Sequence, residues 1–330
     1  MQQTVKDTLI ELSKKDANGN IEWVNRFAKY ATDIEANIDK LKEAAKKFHN
    51  WKPFNIYLNL SQTKDNSDVF VFSLRYIGQE VADIKVNLKD GTVLIDTTKY
   101  DQHNKDYFDC QIELKNIDWS KEQSAKAFRK YFAELDMYSV STHSKEHEYE
   151  SLLLTEFNKS PKTQFKGIKT ISIIKARFPM KTPLLASDKK GVKIESRPGR
   201  GGGIDLFTRT KVDGQVRLNV MELKDEYSNS EPPQKVIRQA IKYAVFIQQL
   251  LRSGSGEVWW KLFGFSKPLP EKLIINATCI IPTNKKGSND TSFGGERIAI
   301  DCNDEIELHY IYFEEVDGSI MEKESSLCLK

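Results

Sequence analysis

Apolar positions recur along this chain with two different periods. From residue 21 to about 50, Trp23, Phe27, Tyr30, Ile34, Ile38, Leu41, Ala45 and Phe48 follow one another at steps of three and four. That spacing predicts an amphipathic helix, or two helices broken near Thr32. Residues 54 to 117 change to alternation. "VFVFSLRY", "EVADIKVNL" and "TVLIDTT" read as strands, with Asp90-Gly91 as the turn between the last two. In "DWSKEQSAKAFRKYFAEL" helical spacing returns, and Ser120 with Gln123 fits a capping box at its start.

After the polar stretch "YSVSTHSKEHE" a second block begins. It predicts a helix in "EHEYESLLLTEFNK", a strand in "IKTISIIKARF", a basic loop broken by prolines, and a hairpin at 204 to 224. A helix over about 232 to 252, an aromatic loop "EVWWKLFGF", and the strands "KLIINATCIIP" and "IELHYIYFEE" follow. The boundary is therefore placed at 142/143. Residues 1 to 142 are expected to form an α+β domain that selects a target or partner. Residues 143 to 330 are expected to form an α/β domain with a mixed central sheet flanked by helices.

The hairpin poses a chemical question. "IDLFTRTKVDGQVRLNVMELK" turns at Asp213-Gly214. A two-residue turn there makes opposed positions sum to 427, so Asp205 faces Glu222 with like charges about 5 Å apart. Lys224 falls two residues further on the same face. Two carboxylates so placed become favourable around a divalent cation. Mg²⁺ takes carboxylate oxygens at about 2.1 Å and keeps positions for water and phosphate oxygens. A neighbouring ammonium positions the attacking water or stabilises developing negative charge. The bland alternatives are a bulge that separates the acids, or a simple Glu222–Lys224 pair.

Charge adds a partner class. The overall net charge is only +3, but residues 159 to 202 carry twelve Lys or Arg against two acids, a local net of +10. Residues 301 to 330 carry nine acids and two bases, a local net of −7. A concentrated positive segment suits nucleic acid; a solvated face beside an acidic neighbour is the alternative. Within it, "RPGRGGG" abuts Asp205: Arg197 and Arg200 can hold phosphate oxygens bidentately, and the glycines allow close backbone approach. The four cysteines are far apart without a CxxC and read as reduced thiols. No secretory h-region and no apolar run near 18 residues is present, so a cytoplasmic protein without membrane association is expected.

Asp205, sixteen intervening residues and then Glu222-Leu223-Lys224 resemble the bipartite core of the PD-(D/E)XK nuclease superfamily, with Gly203-Ile204-Asp205 in place of its Pro-Asp. The resemblance implies a restriction-endonuclease-like fold in which Asp205 and Glu222 bind Mg²⁺, the Leu223 carbonyl can add a ligand, and Lys224 assists catalysis; Mn²⁺ is expected to substitute. Gln239 and Tyr243, one helical turn apart on "VIRQAIKYAVF", resemble the QxxxY element of RecB-like nucleases, which helps to bind substrate. The superfamily also places an acid on the preceding helix. Glu150 is the expected residue, with Glu146, Glu148 and Glu156 as competitors.

The expectation is a divalent-metal-dependent deoxyribonuclease of restriction, phage-defence or DNA-processing type. A catalytically inactive nucleic-acid-binding protein on the same fold is the alternative. Homodimerisation through the helix of residues 21 to 50 is one use of its length, and packing on its own domain is the other. Weaker motifs lead elsewhere. His143 and His147 have the spacing of a zinc pair but lack an adjacent glutamate and a third ligand. "GRGGG" lacks the GK[ST] of a phosphate-binding loop. Trp259, Trp260, Phe263 and Phe265 could stack bases, with core packing the alternative.

Overall fold

A computed structural model describes residues 1–48, 52–60, 68–136, 144–159, 164–185, 193–194 (backbone), 201–212, 214–228 and 230–327. In chain order the elements are α1 (Gln2–Leu12), α2 (Glu22–Ala45), β1 (Asn55–Leu58), β2 (Val69–Tyr76), β3 (Gln79–Asn87), β4 (Val93–Asp96), α3 (Asp101–Phe108), β5 (Ile117–Asp118), α4 (Gln123–Glu134) and α5 (Lys145–Phe157). There follow β6 (Ile168–Thr170), β7 (Ser172–Ile173), β8 (Ala176–Arg177), β9 (Leu184–Leu185), β10 (Lys193–Ile194), β11 (Leu206–Val212), β12 (Gln215–Leu223), α6 (Pro233–Leu251), α7 (Gly256–Leu262), β13 (Ile274–Pro282), β14 (Arg297–Ala299), β15 (Glu305–Val316) and β16 (Ser319–Ser325). The protein is mixed α/β, with two mixed sheets flanked by helices.

The chain divides into two compact units, but not at a single cut after residue 142. One contains Met1–Asp33, Leu152–Ile171 and Pro179–Lys330; the other contains Ile34–Ser151 and Ser172–Phe178. The apolar content of α6 explains the first exchange. Its buried residues occur all round the helix, from Val236 to Leu251, so it needs cover on two sides. The sheet supplies one side and the N-terminal helices the other. Trp23 and Phe27 meet Phe246 edge-on at 5.4 and 5.1 Å between ring centroids, and the Trp259 indole donates to the Phe27 carbonyl at 3.2 Å.

The second exchange corrects a strand. "IKTISIIKARF" is not continuous: β6 pairs with β11, whereas β7 and β8 form a hairpin in the other unit's sheet. Ile174 and Lys175 take positive φ, 58° and 61°, and two such residues in succession reverse the chain. Other local expectations are also adjusted. Helix α2 is unbroken at Thr32, whose hydroxyl donates to the Ala28 carbonyl at 3.0 Å. Ser120 does not cap α4; its hydroxyl bonds Asp118, and Glu122 is the N-cap without a side-chain bond. The expected aromatic loop is α7, because Trp259 and Phe263, four apart, stack at 5.5 Å inside the core. Trp259, Trp260 and Phe263 are buried, which is the packing alternative.

In the unit of residues 34–151 and 172–178 the strand order is β5-β4-β3-β2-β1-β8-β7. The β3–β4 connection turns at Gly91, φ 69°, as the Asp90-Gly91 pair anticipates. Stacked Phe54 and Phe128 join Tyr76, Phe108 and Phe132 in an aromatic core.

The other unit orders its strands β14-β15-β13-β12-β11-β6, with β16 also on β15. Strands β12, β13 and β15 are parallel, and β11–β12 is the antiparallel hairpin. The sheet face turned away from Glu222 is polar though buried. Asn219 donates to Thr210 at 3.0 Å and accepts from Thr278 at 2.7 Å. Asn276, paired in register with Asn219, is fully buried with neither amide atom bonded. On the next strand Glu307 faces His309, Arg217 and Arg297. The adjacent His309 imidazole, Nε2 at 3.3 Å, and then the two guanidiniums pull its carboxyl down to about 2 against desolvation. Cys110, Cys279 and Cys302 carry free thiols, and Cys328 lies outside the described residues. Among the described residues no helix is long and apolar enough to cross a membrane.

Two predictions follow from this polar face. Asn276→Leu removes a desolvated amide at similar volume and should raise stability by roughly 1–2 kcal/mol in chemical denaturation; a lower midpoint would show that buried water satisfies the amide. The depressed Glu307 pKa stabilises the fold at pH above the ordinary carboxylate value, and that contribution is lost as pH falls through about 2. Glu307→Gln should therefore cost roughly 2–3 kcal/mol at pH 7 and flatten the acid limb of a stability–pH curve.

Candidate functional site

The hairpin register places the acids. Leu206 pairs with Met221 and Val212 with Gln215, so opposed positions sum to 427, and Gly214 takes the positive φ (78°) that the tight turn requires. Asp205 stands one residue outside this ladder, in a bend, and its carboxylate replaces a rung. Oδ2 accepts the Leu223 N–H at 3.0 Å. Beyond Met221, β12 continues on β13 alone, with Glu222 beside Cys279 and Leu223 beside Ile280. The acids therefore sit at the carboxyl end of a parallel strand pair, where open α/β sheets place ligands.

Lys224 ties the carboxylates together. Its ammonium donates to Glu222 Oε1 at 3.1 Å and to the Leu223 carbonyl at 2.8 Å, and lies 3.9 Å from Asp205 Oδ2. Glu222 and Lys224 are buried, while a quarter of the Asp205 side chain is exposed. Burial lets the carboxylates act at short range with little solvent screening. The neighbours register that field. Desolvation, and then Glu222, pushes the Cys279 thiol up. The Tyr243 hydroxyl is held well above its usual value by burial, Glu222 and Asp205, with Lys224 opposing, so it remains a proton donor.

The glycine run serves this packing. Gly202 donates to the Leu184 carbonyl at 2.7 Å, and its own carbonyl accepts from Thr182 at 2.9 Å. A Cβ at Gly202 would meet the Tyr243 hydroxyl, and one at Gly201 the Thr182 carbonyl. These glycines thus give their close approach to Tyr243 and to residues 180–184. The Gly202 amide is bonded there.

Of the sequence-derived residues, Asp205, Glu222, Leu223, Lys224 and Tyr243 come together. Gln239, buried one turn earlier on α6, donates to Glu231 at 2.8 Å in the loop after Lys224. Glu150 belongs to the other compact unit, where Arg75 engages it at 3.4 Å. Among the described residues no three His, Cys, Asp or Glu side chains gather to hold a metal. Arg197 and Arg200 lie outside the described residues, as does His143.

The charge pattern is partly resolved. Lys166, Lys169 and Lys175 are exposed, whereas Lys159 pairs with Glu156 at 2.6 Å. In the acidic segment, Asp304, Glu305, Glu307 and Glu314 pair with Arg252, Lys272, Arg217 and Lys323, none of which belongs to the basic segment.

Sequence reasoning missed Lys285. It is buried three residues past the end of β13 and donates to the carbonyls of Asp225 and Ser228 at 2.7 and 2.6 Å. Only the parallel pairing of β12 with β13 brings it beneath the loop that follows Lys224, and no local pattern announces that pairing.

The donors suit a hard divalent cation in type: two carboxylates converge with one backbone carbonyl at a partly open edge.

The Gly202–Tyr243 contact is testable. Gly202→Ala should destabilise by roughly 1–3 kcal/mol through overpacking, and Tyr243→Phe, which removes the obstructing hydroxyl, should recover a large part of that loss in a double-mutant cycle. Strict additivity in thermal unfolding would show that the two groups do not meet. No protein-family model, curated protein or solved structure matches this chain, so the site rests on its own geometry.

Proposed function

We propose that this protein is a divalent-metal-dependent nuclease of the PD-(D/E)XK type, hydrolysing DNA phosphodiesters. One observation carries the reading: a single buried ammonium reaches both an aspartate and a glutamate at the open end of a hairpin, at 3.9 and 3.1 Å. Repulsion between desolvated acids is costly without a compensating cation. Lys224 offsets part of it, and a divalent ion held between the acids would offset more. The mixed sheet with helices against it is compatible with a restriction-endonuclease-like fold.

Asp205 and Glu222 would hold Mg²⁺, with the Leu223 carbonyl as a further oxygen once Lys224 turns from it. When bound, the ion supplies polarisation of the phosphoryl group and acidifies water. The chain's own groups have separate tasks. Lys224 orients the attacking water and offsets the charge that develops on the phosphoryl oxygens. Tyr243, kept protonated, would offer its hydroxyl as a hydrogen-bond donor to a substrate oxygen at the same edge. Gln239 steadies Glu231 and with it the loop leaving the site. The exposed Lys166 and Lys169 add positive charge for the polyanionic backbone.

The test is incubation of purified protein with plasmid and linear DNA in Mg²⁺, Mn²⁺ or EDTA, beside Asp205→Ala and Lys224→Ala. Metal-dependent cutting, reduced at least about 100-fold in each variant, is the expected result. Binding without cutting under any metal would support instead a nucleic-acid-binding module that retains the fold.

A further inference from the structure

The turn that leaves the acidic pair carries an unusual surface residue. Tyr227 is 73% exposed, the most exposed large apolar side chain among the described residues. Its backbone is tightly held. Asp225 Oδ1 accepts the N–H groups of Tyr227 and Ser228 at 3.1 and 3.0 Å and the Ser228 hydroxyl at 2.8 Å. From below, the buried Lys285 ammonium clamps the carbonyls of Asp225 and Ser228. Burial draws the Lys285 pKa below its ordinary value, so the cation is kept there at a cost. Flexible surface turns need no buried lysine beneath them. Here one is used to fix four residues whose exposed product is an aromatic ring.

The ring's position suggests its partner. Tyr227 follows Lys224 by three residues, so its Cα lies at most about 11 Å from that of the lysine. A nucleobase whose backbone phosphate rests at Asp205 and Glu222 falls within the reach of a phenol that projects from this turn. Every base offers a π-face, and a ring held rigid loses little entropy on stacking. A tyrosine serving the core would be covered, and one serving a hydrogen-bond network would be bonded through its hydroxyl.

We propose that Tyr227 is a stacking platform for an unpaired base next to the phosphate bound at the acidic pair, and that the protein therefore engages single-stranded or frayed DNA at this edge. The proposal deepens the nuclease reading and rests on its placement of the phosphate.

Full-length wild type, Tyr227→Ala, Tyr227→Phe and Tyr227→Trp are compared for binding of end-labelled single-stranded oligonucleotides by fluorescence anisotropy, in EDTA and in Ca²⁺. A single abasic site is walked through the oligonucleotide. Tyr227→Ala should bind roughly tenfold more weakly, Phe and Trp should retain wild-type affinity, and one abasic position should weaken the wild type but leave Tyr227→Ala unaffected. Equal affinity of wild type and Tyr227→Ala, without a sensitive abasic position, overturns the platform; if the wild type still cuts DNA with metal, the nuclease reading stands. A sensitive position in a protein that never cuts supports the platform and removes the nuclease reading. Absence of binding by the wild type to any of these oligonucleotides, in either condition, overturns both.

Discussion

The constraint on which the site depends is the meeting of Asp205, Glu222 and Lys224 at the end of one hairpin. A two-residue turn pins the register of β11 against β12, and register alone decides which side chains share a face. Slipping that pairing by one residue would send Glu222 to the opposite face from Asp205. The bonds that seal the end of the ladder are made by the acidic site itself: the Asp205 carboxylate takes the Leu223 amide, and the Lys224 ammonium takes the Leu223 carbonyl. Strand termination and charge placement are therefore one arrangement.

Around this edge the molecule spends its special residues on close packing. Gly201 and Gly202 let residues 180–184 and the Tyr243 hydroxyl approach where any side chain would intrude. Helix α6 is buried on all sides so that Gln239 and Tyr243 stay in place beside the sheet. That burial requires a covering layer, which α1 and the start of α2 provide; Trp23 and Phe27 close over Phe246. The N-terminal residues are structural partners of the segment that carries the site, despite lying some 200 positions away in the chain.

Buried polar groups mark two further regions of the same sheet. On the face turned away from Glu222, Asn219, Thr210 and Thr278 satisfy one another, while Asn276 does not join them and Glu307 collects two arginines and a histidine. At the carboxyl end of β13, Lys285 holds the loop beyond Lys224. Neither serves hydrophobic stabilisation. Both order backbone or side chains close to the strands that bear the acids.

Much of this was legible in the sequence because it depends on local chemistry. The Asp213-Gly214 turn and the alternation around it determine the register, and the register brings Asp205, Glu222 and Lys224 to one edge; the spacing of Gln239 and Tyr243 puts both on one helical face. Other features were set only by contacts between distant segments. The glycine run, the switch of residues 172–177 to another sheet and the helical state of the Trp259 segment depend on what each packs against. Glu150 pairs with Arg75, a partner 75 positions away that no local pattern names. Lys285 became part of the site only through the parallel pairing of β12 with β13. Turn chemistry and periodicity act over a few residues and can be read along the chain, whereas the partner of a buried charge or of a helix buried on most of its surface is chosen in three dimensions.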